Sequence, residues 1–397
     1  MSEITPIVLG YVACWAELEA AQIRGNRLTH VNYAFACIQD GLVVNFMAAN
    51  YARLAETDSA LAARGYDAAC AKEDAGLGLA RSLKAAYPHL KVLLSIGGWA
   101  AEGFSDAALS AQSRERFADS ALEFMRHYGF DGLDLDWEYP GSSIGGIRAR
   151  PEDRQNFTAL LRLLREKLEE ASEAEGRPRE ARYLLSIATG VVPAHLEGVD
   201  LAQIAPELDF IGLMTYDLYN GWSTRSGHHA NLFCSHSDPE GDSADNAVRL
   251  FIDSGVPASK LLLGAAFYGR GMNGVAAQND GLMQASEPGS NFTRTYEEIL
   301  GLLGAPSAWT RHWDEAAQAP YLYDGRSFLS YEDPASLRRK GRYVLEQGLA
   351  GAMFWEYSND RSGELLGALH EALYPGTERL GSGFEAETAA YLLHRIR

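Results

Sequence analysis

The sequence predicts a closed (β/α)8 barrel, a fold of the α/β class. Eight short apolar runs alternate with helical stretches through most of the 397 residues, and strands that alternate with helices form parallel sheets. Eight such units are the number that closes a parallel sheet into a barrel. The segment between the seventh run and the next helix is too long for an ordinary loop, which predicts a small α+β insertion there.

The eight predicted strands are apolar runs, most of which end in an aromatic or a charged residue. In chain order they cover residues 7–11, 28–35, 90–96, 129–140, 183–188, 208–216, 261–268 and 350–355. Because the functional residues of such barrels lie at the carboxyl ends of the strands, we expect the chemistry of this protein at those ends.

The predicted helices have apolar residues at helical spacing. Within the stretch 104–128 four apolar side chains recur on one face: Phe117, Ala121, Phe124 and Met125. The next helix begins near Pro151, which suits a first helical turn, and carries an apolar stripe from Phe157 to Leu168. Further helices are predicted at 76–87, 244–254 and 334–347.

The predicted domain organisation has three parts. Residues 1–270 and 332–375 are predicted to form the barrel, 271–331 the insertion, and 376–397 a C-terminal extension. The insertion contains a helical piece at 295–303 with short aromatic strand-like runs after it, which is the basis for calling it α+β.

The composition argues against some classes of partner. The formal net charge is −18, whereas nucleic acid and anionic membranes attract basic surfaces. No apolar run approaches the length that crosses a bilayer. Residues 1–6 do not resemble a signal peptide, so we expect a cytoplasmic protein or one exported by another route, unless the chain was trimmed. We expect a monomer.

The cysteines are few and irregularly spaced. They are Cys14, Cys37, Cys70 and Cys234, too few for a disulfide framework and at spacings that fit no zinc motif. Cys14 and Cys37 follow the first two strands, which would be neighbours in a barrel, so a disulfide could join them. Free buried thiols are the stronger expectation.

The fourth predicted strand carries three carboxylates on one face. Side chains of a strand alternate between its two faces, and between the apolar residues of this run lie Asp134, Asp136 and Glu138. Carboxylates this close raise one another's pKa, and a Glu with a raised pKa can act as a general acid at neutral pH. Pro140 cannot donate to a ladder hydrogen bond, so Glu138 is expected at the carboxyl end of the strand.

Two other interpretations of these acids are open. Glu138 could be a surface residue at a strand end, although Asp136 on the same face argues against that. Asp134, Asp136 and Glu138 could instead bind Mg²⁺ or Ca²⁺ as hard oxygen ligands. Against a metal site, no second cluster of ligands is visible in the sequence, and one strand alone rarely supplies an open site.

The acidic run also resembles a known family. Residues 131–140, DGLDLDWEYP, resemble the DxxDxDxE signature of glycoside hydrolase family 18, the chitinases. Residues 95–99, SIGGW, resemble the second signature of the family, SxGG, and the resemblance implies that Ser95 and Tyr11 hydrogen-bond the pair Asp134 and Asp136. The resemblance extends from about Ile7 to Leu373 and includes the insertion found in subfamily A, of the bacterial type.

The resemblance implies a retaining mechanism in which the substrate supplies the nucleophile. Glu138 would protonate the glycosidic oxygen, and the 2-acetamido oxygen would attack the anomeric carbon to give an oxazolinium ion. Asp136 would orient the acetamido N–H and stabilise the positive charge, and Asp134 would share a proton with Asp136. Tyr216 would hold the acetamido oxygen in its attacking position. Asp131, on the opposite face, is expected to be structural.

Aromatic residues near several predicted strand ends indicate a carbohydrate groove, since sugars present apolar C–H faces to aromatic rings. These candidates are Tyr11, Phe35, Trp99, Tyr139, Trp222, Tyr268 and Trp355. The resemblance adds Asp217 for sugar hydroxyls and Arg270 as a cleft residue, although Arg270 could instead pair within the insertion. Met214 joins the substrate-binding set, and Gly97 and Gly98 would let the backbone approach the ligand closely.

The sequence therefore predicts a chitinase that cleaves β-1,4-linked N-acetylglucosamine polymers and oligomers without a metal, nucleotide or other cofactor. One alternative is a chitin-binding lectin on the same barrel, although such proteins typically lose the acid that is present here as Glu138. Another is an enzyme of the family that acts on peptidoglycan or N-glycan cores.

The loop histidines His228, His229 and His236 are predicted to be solvated.

Overall fold

The computed structural model describes residues 5–47, 49, 76–304 and 308–376. Cys70 and all but the first residue of the predicted C-terminal extension lie outside these ranges. Within the described ranges, none of the helices combines the length and the apolar composition needed to cross a bilayer.

The strands and helices follow one another along the chain. The strands are β1 (Ile7–Ala13), β2 (His30–Gln39), β3 (Leu42–Asn45), β4 (Lys91–Gly97), β5 (Gly132–Asp136), β6 (Leu184–Thr189), β7 (Phe210–Leu213), β8 (Leu261–Ala266), β9 (Tyr268–Met272), β10 (Asn291–Thr295), β11 (Thr310–Asp314), β12 (Ala319–Tyr323), β13 (Phe328–Ser330) and β14 (Gly351–Trp355). The described α-helices are α1 (Leu79–Ala86), α2 (Phe104–Ala108), α3 (Ala111–Tyr128), α4 (Asp153–Ala174), α5 (Pro193–Leu196), α6 (Leu201–Ile204), α7 (Ala244–Asp253), α8 (Tyr296–Leu303), α9 (Pro334–Glu346) and α10 (Glu364–Leu373).

The main sheet closes into the predicted (β/α)8 barrel. Its strand order is β1-β14-β8-β7-β6-β5-β4-β2-β3, and β1 also pairs with β2. The pairs β2–β4, β4–β5, β5–β6, β8–β14 and β14–β1 are parallel, as expected of strands joined through helices. β3 is the exception, since it adds to β2 as an antiparallel hairpin. The predicted fold class is therefore confirmed.

Two compact units make up the chain. The N-terminal unit is Val12–Ile211 and contains β2 to β6 with the described helices that follow them. The C-terminal unit contains the residues up to Tyr11 and those from Gly212 to the end of the described chain. The acidic run lies in the N-terminal unit, and the second sheet lies in the C-terminal unit.

The second sheet is the predicted α+β insertion. Its strand order is β10-β9-β13-β12-β11 and its pairings are antiparallel, with α8 following β10. The sheet begins at Tyr268, three residues before the predicted insertion boundary, because β9 follows β8 after a single residue. A small apolar core supports it: Met272, Val275, Leu282, Tyr321, Tyr323 and Phe328.

Two of the predicted strands are shorter than expected. β5 ends at Asp136 because its partner β4 ends at Gly97, opposite Asp136, where a backbone φ of 119° turns the chain away. β7 ends at Leu213 because the Thr215 N–H bonds to the Leu213 carbonyl within the same segment (2.8 Å). The residues after these points therefore lie on loops that follow the barrel strands.

The helix predicted at 104–128 is two helices. α2 ends at Ala108, and α3 begins after Ser110, whose extended backbone and side-chain oxygen cap the N–H of Ser113. A serine in this position terminates one helix and starts the next because it satisfies a backbone donor that has no partner in the helix. Gly129 ends α3 in a left-handed conformation (φ 79°).

The cysteines of the described chain are free thiols, as the sequence favoured. Cys14 is buried, and Cys37 and Cys234 are partly buried. Burial raises the pKa of the Cys14 thiol to about 12, so this side chain stays protonated at neutral pH and behaves as a small apolar residue.

Candidate active site

Asp134 is held by a serine on each neighbouring strand. The register places Ser95 of β4 and Ser186 of β6 level with Asp134 of β5. The Ser95 hydroxyl donates to Oδ2 of Asp134 (2.8 Å) and the Ser186 hydroxyl donates to Oδ1 (2.6 Å). Because Asp134 is fully buried, these bonds replace the water that its carboxylate loses. The bond from Ser95 is the one that the resemblance implied. The sequence analysis missed Ser186, although its alternation in β6 places it on the same face.

Replacing Ser186 by Ala should lower the free energy of unfolding by about 2 kcal/mol, because hydrogen bonds to charged groups are worth about 1.5–3 kcal/mol. Urea denaturation followed by circular dichroism measures this. Ser254→Ala is the matched control, since the Ser254 hydroxyl donates to an uncharged helix carbonyl (Leu250, 2.7 Å) and should cost less. Equal losses in the two variants would mean that Asp134 is not the charged acceptor assumed here.

Asp136 has surroundings that are unfavourable for a negative charge. It is buried, and its Oδ1 has no hydrogen-bond partner among the described residues. Burial, and then the neighbouring charges of Glu138 and Asp134, raise the pKa of Asp136 well above its usual value. Asp136 therefore tends to keep a proton at a pH where an ordinary aspartate has lost it.

Glu138 lies on the loop that follows β5. It is partly exposed while Asp134 and Asp136 are buried, and the peptide bond that joins it to Tyr139 is cis. Between Asp136 and Glu138, the Trp137 ring stacks on Phe104 (5.3 Å between centroids) in the layer of helices outside the barrel. A partly exposed carboxyl group beside buried ones is suited to exchange a proton with a bound molecule.

Gly97 and Gly98 bring the end of β4 against the end of β5. Their φ angles are 119° and 94°, and the Gly98 N–H bonds to the Asp136 carbonyl (2.9 Å). A Cβ on Gly97 would lie 2.2 Å from that carbonyl oxygen, and one on Gly98 would lie 2.6 Å from the Phe35 ring. The glycines thus position the Asp136 backbone. That they also let the backbone approach a ligand closely stays a prediction.

The aromatic residues of the N-terminal unit that were predicted to bind sugar differ in solvent exposure. Trp99 is 48% exposed, whereas Phe35 and Tyr139 are buried. The Tyr139 ring stacks on His195 with 4.0 Å between the ring centroids, so one face of the ring is already covered. Trp15, which the sequence analysis did not single out, is 38% exposed, and its ring lies 6.2 Å from that of Phe35.

Asp217 is the centre of a second polar cluster, in the C-terminal unit. The Arg270 guanidinium donates to both of its oxygens (2.8 and 2.5 Å), and the Tyr268 hydroxyl donates to Oδ1 (2.7 Å). Burial opposes ionisation, but His229 and Arg270 outweigh it and hold the pKa of Asp217 well below its usual range. The ion-pair partner of Arg270 is therefore Asp217, which precedes the insertion, and its contact within the insertion is a hydrogen bond to the Thr293 hydroxyl (3.1 Å).

The pH dependence of stability should reveal the Asp217 cluster. Because the pKa of Asp217 is lowered on folding from an unfolded value near 3.9, its stabilisation is present above that value and is lost as pH falls through the folded pKa. Asp217→Asn should therefore be less stable than wild type at pH 7, and the difference should shrink as pH falls below about 3.9. Asp253→Asn, at an exposed site, is the control for urea denaturation at each pH. A difference that does not change with pH would contradict this assignment.

Tyr216 and Trp355 pack on one apolar cluster of the C-terminal unit. The residues beneath them are Ala230, Ala266 and Tyr268. The Tyr216 hydroxyl lies 3.9 Å from Sδ of Met353, and the Trp355 ring is 5.8 Å from that of Tyr11. Met214, the residue after β7, is buried, and its predicted contact with substrate stays a prediction.

Trp222 is 70% exposed and lies on a braced loop. Its N–H donates to Oδ1 of Asn220 (3.0 Å), and the Asn220 amide donates to the Asp217 carbonyl (3.1 Å). From the insertion, the Asn291 amide donates to the Gly221 carbonyl (2.8 Å). The loop therefore presents one large aromatic face to solvent in a fixed position.

The structure corrects the prediction for two of the three loop histidines. His228 and His229 are buried, and only His236 is exposed. Nε2 of His228 lies 3.2 Å from Oδ2 of Asp314, a partner 86 residues away that the sequence could not reveal. Among the described residues, no group of three or more His, Cys, Asp or Glu side chains could hold a metal ion.

Asp131 has the contacts of a structural residue. It lies one residue before β5 and is buried. One carboxylate oxygen is 2.7 Å from Nζ of Lys84, and the other accepts the N–H of Val92 (3.0 Å). These contacts tie β4, β5 and α1 together at the end of the barrel where the strands begin.

A parallel barrel that ends one strand in buried carboxyl groups, with a partly exposed glutamate directly after it, is typical of glycoside hydrolases. A family model described as "Glycosyl hydrolases family 18" matches residues 7–360. The chain therefore belongs to glycosyl hydrolase family 18, and the resemblance found in its sequence is confirmed.

Individual proteins with known names are also similar to this chain. Chitinase A1 of Niallia circulans is 35% identical over 419 residues, which cover 93% of this chain and 58% of the relative. Among solved structures, chitinase ChiW of Paenibacillus sp. str. FPU-7 has a TM-score of 0.86 and 42% identity, over 93% of this chain and 43% of that one. An N-acetylglucosaminidase of Paenibacillus barengoltzii has a TM-score of 0.80 and 39% identity, over 92% and 99%. The chain spans 51–67% of the length of five such curated relatives.

Proposed function

We propose that this protein is a chitinase that hydrolyses β-1,4-linked N-acetylglucosamine chains with retention of configuration. The observation that carries the proposal is the acidic series in which Asp134 accepts a hydrogen bond at each oxygen, Asp136 is buried with a raised pKa, and Glu138 is partly exposed. This series supplies a proton donor beside a group that can become charged during the reaction. Relatives named as chitinases support the choice of substrate.

The first chemical step needs one proton and one nucleophile. Glu138 donates its proton to the glycosidic oxygen, and the bond between that oxygen and the anomeric carbon breaks. The acetamido carbonyl oxygen of the same sugar forms a bond to the anomeric carbon from the opposite face, which gives an oxazolinium ion. Water then attacks the anomeric carbon while the bond between that carbon and the acetamido oxygen breaks. Glu138 accepts the proton of that water, the acetamido group is restored, and the product keeps the β configuration.

Asp136 is proposed to act on the acetamido group. Its carboxyl accepts the acetamido N–H, which orients the carbonyl oxygen for attack. Positive charge develops on the oxazolinium ring, so a negative charge on Asp136 stabilises the transition state more than the ground state. Asp134, held by its two serines, shares the proton that Asp136 must release.

Residues of the C-terminal unit are proposed to bind the sugars. The Tyr216 hydroxyl would hold the acetamido oxygen, and Trp355 would provide the floor under the sugar that is cleaved. Asp217 and Arg270 would contact hydroxyl groups of the substrate, and the exposed Trp222 would stack on a further sugar face. Exposed tryptophans suit this role because stacking on a sugar covers apolar surface on both partners.

A second candidate function is removal of single sugars. The N-acetylglucosaminidase of Paenibacillus barengoltzii is similar to this chain over 99% of its own length, which favours an exo-acting enzyme with the same chemistry. Endo and exo action differ in the products that they release and not in the role of Glu138.

Incubation of the protein with tetra- and hexa-N-acetylglucosamine, followed by mass spectrometry of the products, tests the proposed function. Release of dimers and trimers is expected of a chitinase, whereas stepwise release of monomers would identify an N-acetylglucosaminidase. Binding of the oligomers without cleavage would identify a lectin and overturn the proposal. Cleavage of peptidoglycan or N-glycan cores, with none of these oligomers cut, would show that the enzyme acts on another substrate.

A further inference from the structure

His229 lies directly behind the Asp217 cluster and is completely buried. Its Nδ1 is 3.6 Å from Oδ1 of Asp217, and its ring centroid is 5.2 Å from that of Tyr268. Neither ring nitrogen has a hydrogen-bond partner at bonding distance among the described residues. Burying a polar ring in this way costs about 1–3 kcal/mol, so its position beside a substrate-binding carboxylate calls for a functional reason.

The backbone fixes the place of this ring. The N–H of Leu218, the residue after Asp217, donates to the His229 carbonyl (3.1 Å). On the other side, the His229 N–H donates to the Ser330 hydroxyl on β13 (2.9 Å). The imidazole is therefore held between the loop that carries Asp217 and the insertion sheet, and a substitution of the side chain leaves both backbone bonds in place.

The charged groups that face the ring decide its protonation state. Burial lowers the pKa of His229, Asp217 raises it, and the cations Arg270 and Lys340 lower it further, with a net lowering. Lys340 is itself buried beside Glu332. The ring is therefore neutral at pH 7, and the carboxylate of Asp217 favours the tautomer with the proton on Nδ1.

The same buried lysine supports the residues before Asp217. Nζ of Lys340 lies 3.4 Å from the Gly264 carbonyl of β8, which also accepts the hydroxyl of Thr215 (2.8 Å). Thr215 precedes Tyr216 and Asp217, so a second layer of buried polar groups lies beneath the residues that are proposed to bind substrate.

We propose that His229 is a positioning residue for substrate binding. Its neutral ring directs the Nδ1 proton at Oδ1 of Asp217 and keeps the carboxylate in the orientation that Arg270 and Tyr268 also hold. The ring does not touch the substrate and acts through Asp217. The inference rests on the proposed function, since it takes Asp217 as a sugar-binding residue.

A consequence of this arrangement is a pH-dependent affinity. When acid protonates His229, the imidazolium competes with Arg270 and Tyr268 for Oδ1 of Asp217. The carboxylate then turns away from the orientation in which it binds sugar hydroxyls, so KM should rise in acid. The change should fall on KM more than on kcat, because proton transfer by Glu138 does not involve this ring.

Two substitutions of His229 separate its contributions. His229→Phe keeps an aromatic ring but removes the ring N–H. It should raise KM for a soluble N-acetylglucosamine oligomer about five- to tenfold at pH 7 and change kcat less than about twofold. His229→Asn keeps an N–H near the position of Nδ1 but cannot titrate. It should keep KM near the wild-type value at pH 7. Its KM should not rise as the pH is lowered into the acid range, whereas that of wild type should.

The control is His228→Asn, since His228 is also buried but pairs with Asp314. It should lower the melting temperature and leave KM and its pH dependence unchanged. An unchanged KM in His229→Phe, or an acid rise of KM in His229→Asn as steep as in wild type, overturns the inference while the proposed function stands. If His229→Phe does not fold, the pH profile of His229→Asn decides alone. A wild-type protein that neither binds nor cleaves the oligomers overturns the proposed function and this inference together.

Discussion

Glu138→Gln should lower kcat on a soluble N-acetylglucosamine oligomer by about 10³-fold or more, because loss of a positioned general acid typically costs 10²–10⁴-fold. Gln has nearly the shape of Glu but no proton of suitable acidity for the leaving oxygen. Because Glu138 is only partly buried, the change should not disturb folding, and the variant should still bind the oligomer. Steady-state hydrolysis and calorimetric binding measure the two quantities separately.

The matched control for this variant is Glu197→Gln, an exposed glutamate of the same unit, which should keep wild-type kcat. Substantial activity in Glu138→Gln, above about a tenth of wild type, would show that another group donates the proton. Loss of both activity and binding would instead mean that the substitution had altered the site as a whole.

Asp136→Asn should lower kcat by about 10²-fold or more and at the same time make the protein more stable at pH 8. Activity falls because Asn cannot become negatively charged beside the oxazolinium ion. Stability rises because the folded pKa of Asp136 lies above the unfolded one. The folded state then binds a proton that the unfolded state releases, so the stability of wild type falls as pH rises from about 4 through the raised pKa. Because Asn does not ionise, the Asp136→Asn variant does not lose stability in this way as pH rises.

Hydrolysis rates and urea denaturation at several pH values test both parts of this prediction. Asp131→Asn is the control with opposite behaviour, because Asp131 gains an ion pair with Lys84 on folding and should lose stability while it keeps kcat. An Asp136→Asn protein that is as active as wild type would contradict the role of the charge, and one that is less stable at pH 8 would contradict the raised pKa.

The fold could be predicted from local patterns. Eight apolar runs between helices require a parallel barrel, and alternation along one strand placed Asp134 and Asp136 on the face opposite Leu133 and Leu135 without knowledge of any neighbour. Asp131, on the opposite parity, was predicted to be structural, and its ion pair with Lys84 agrees with that.

What could not be predicted depends on contacts between distant segments. β5 ends at Asp136 because Gly97 on another strand turns away, and no feature of residues 129–140 encodes this. Ser186 bonds to a carboxylate 52 residues earlier in the chain. His229 is buried beside Asp217, although a histidine in a polar loop would ordinarily be solvated.

The central claim, that the acetamido group of the substrate is the nucleophile, is tested most directly by the configuration of the first product. Proton NMR of the reaction with tetra-N-acetylglucosamine, recorded before mutarotation, resolves the two anomers of the newly formed reducing end. The mechanism predicts that the β anomer forms first, because two displacements on opposite faces restore the original configuration. Initial formation of the α anomer would require direct attack by water and would contradict the proposed mechanism.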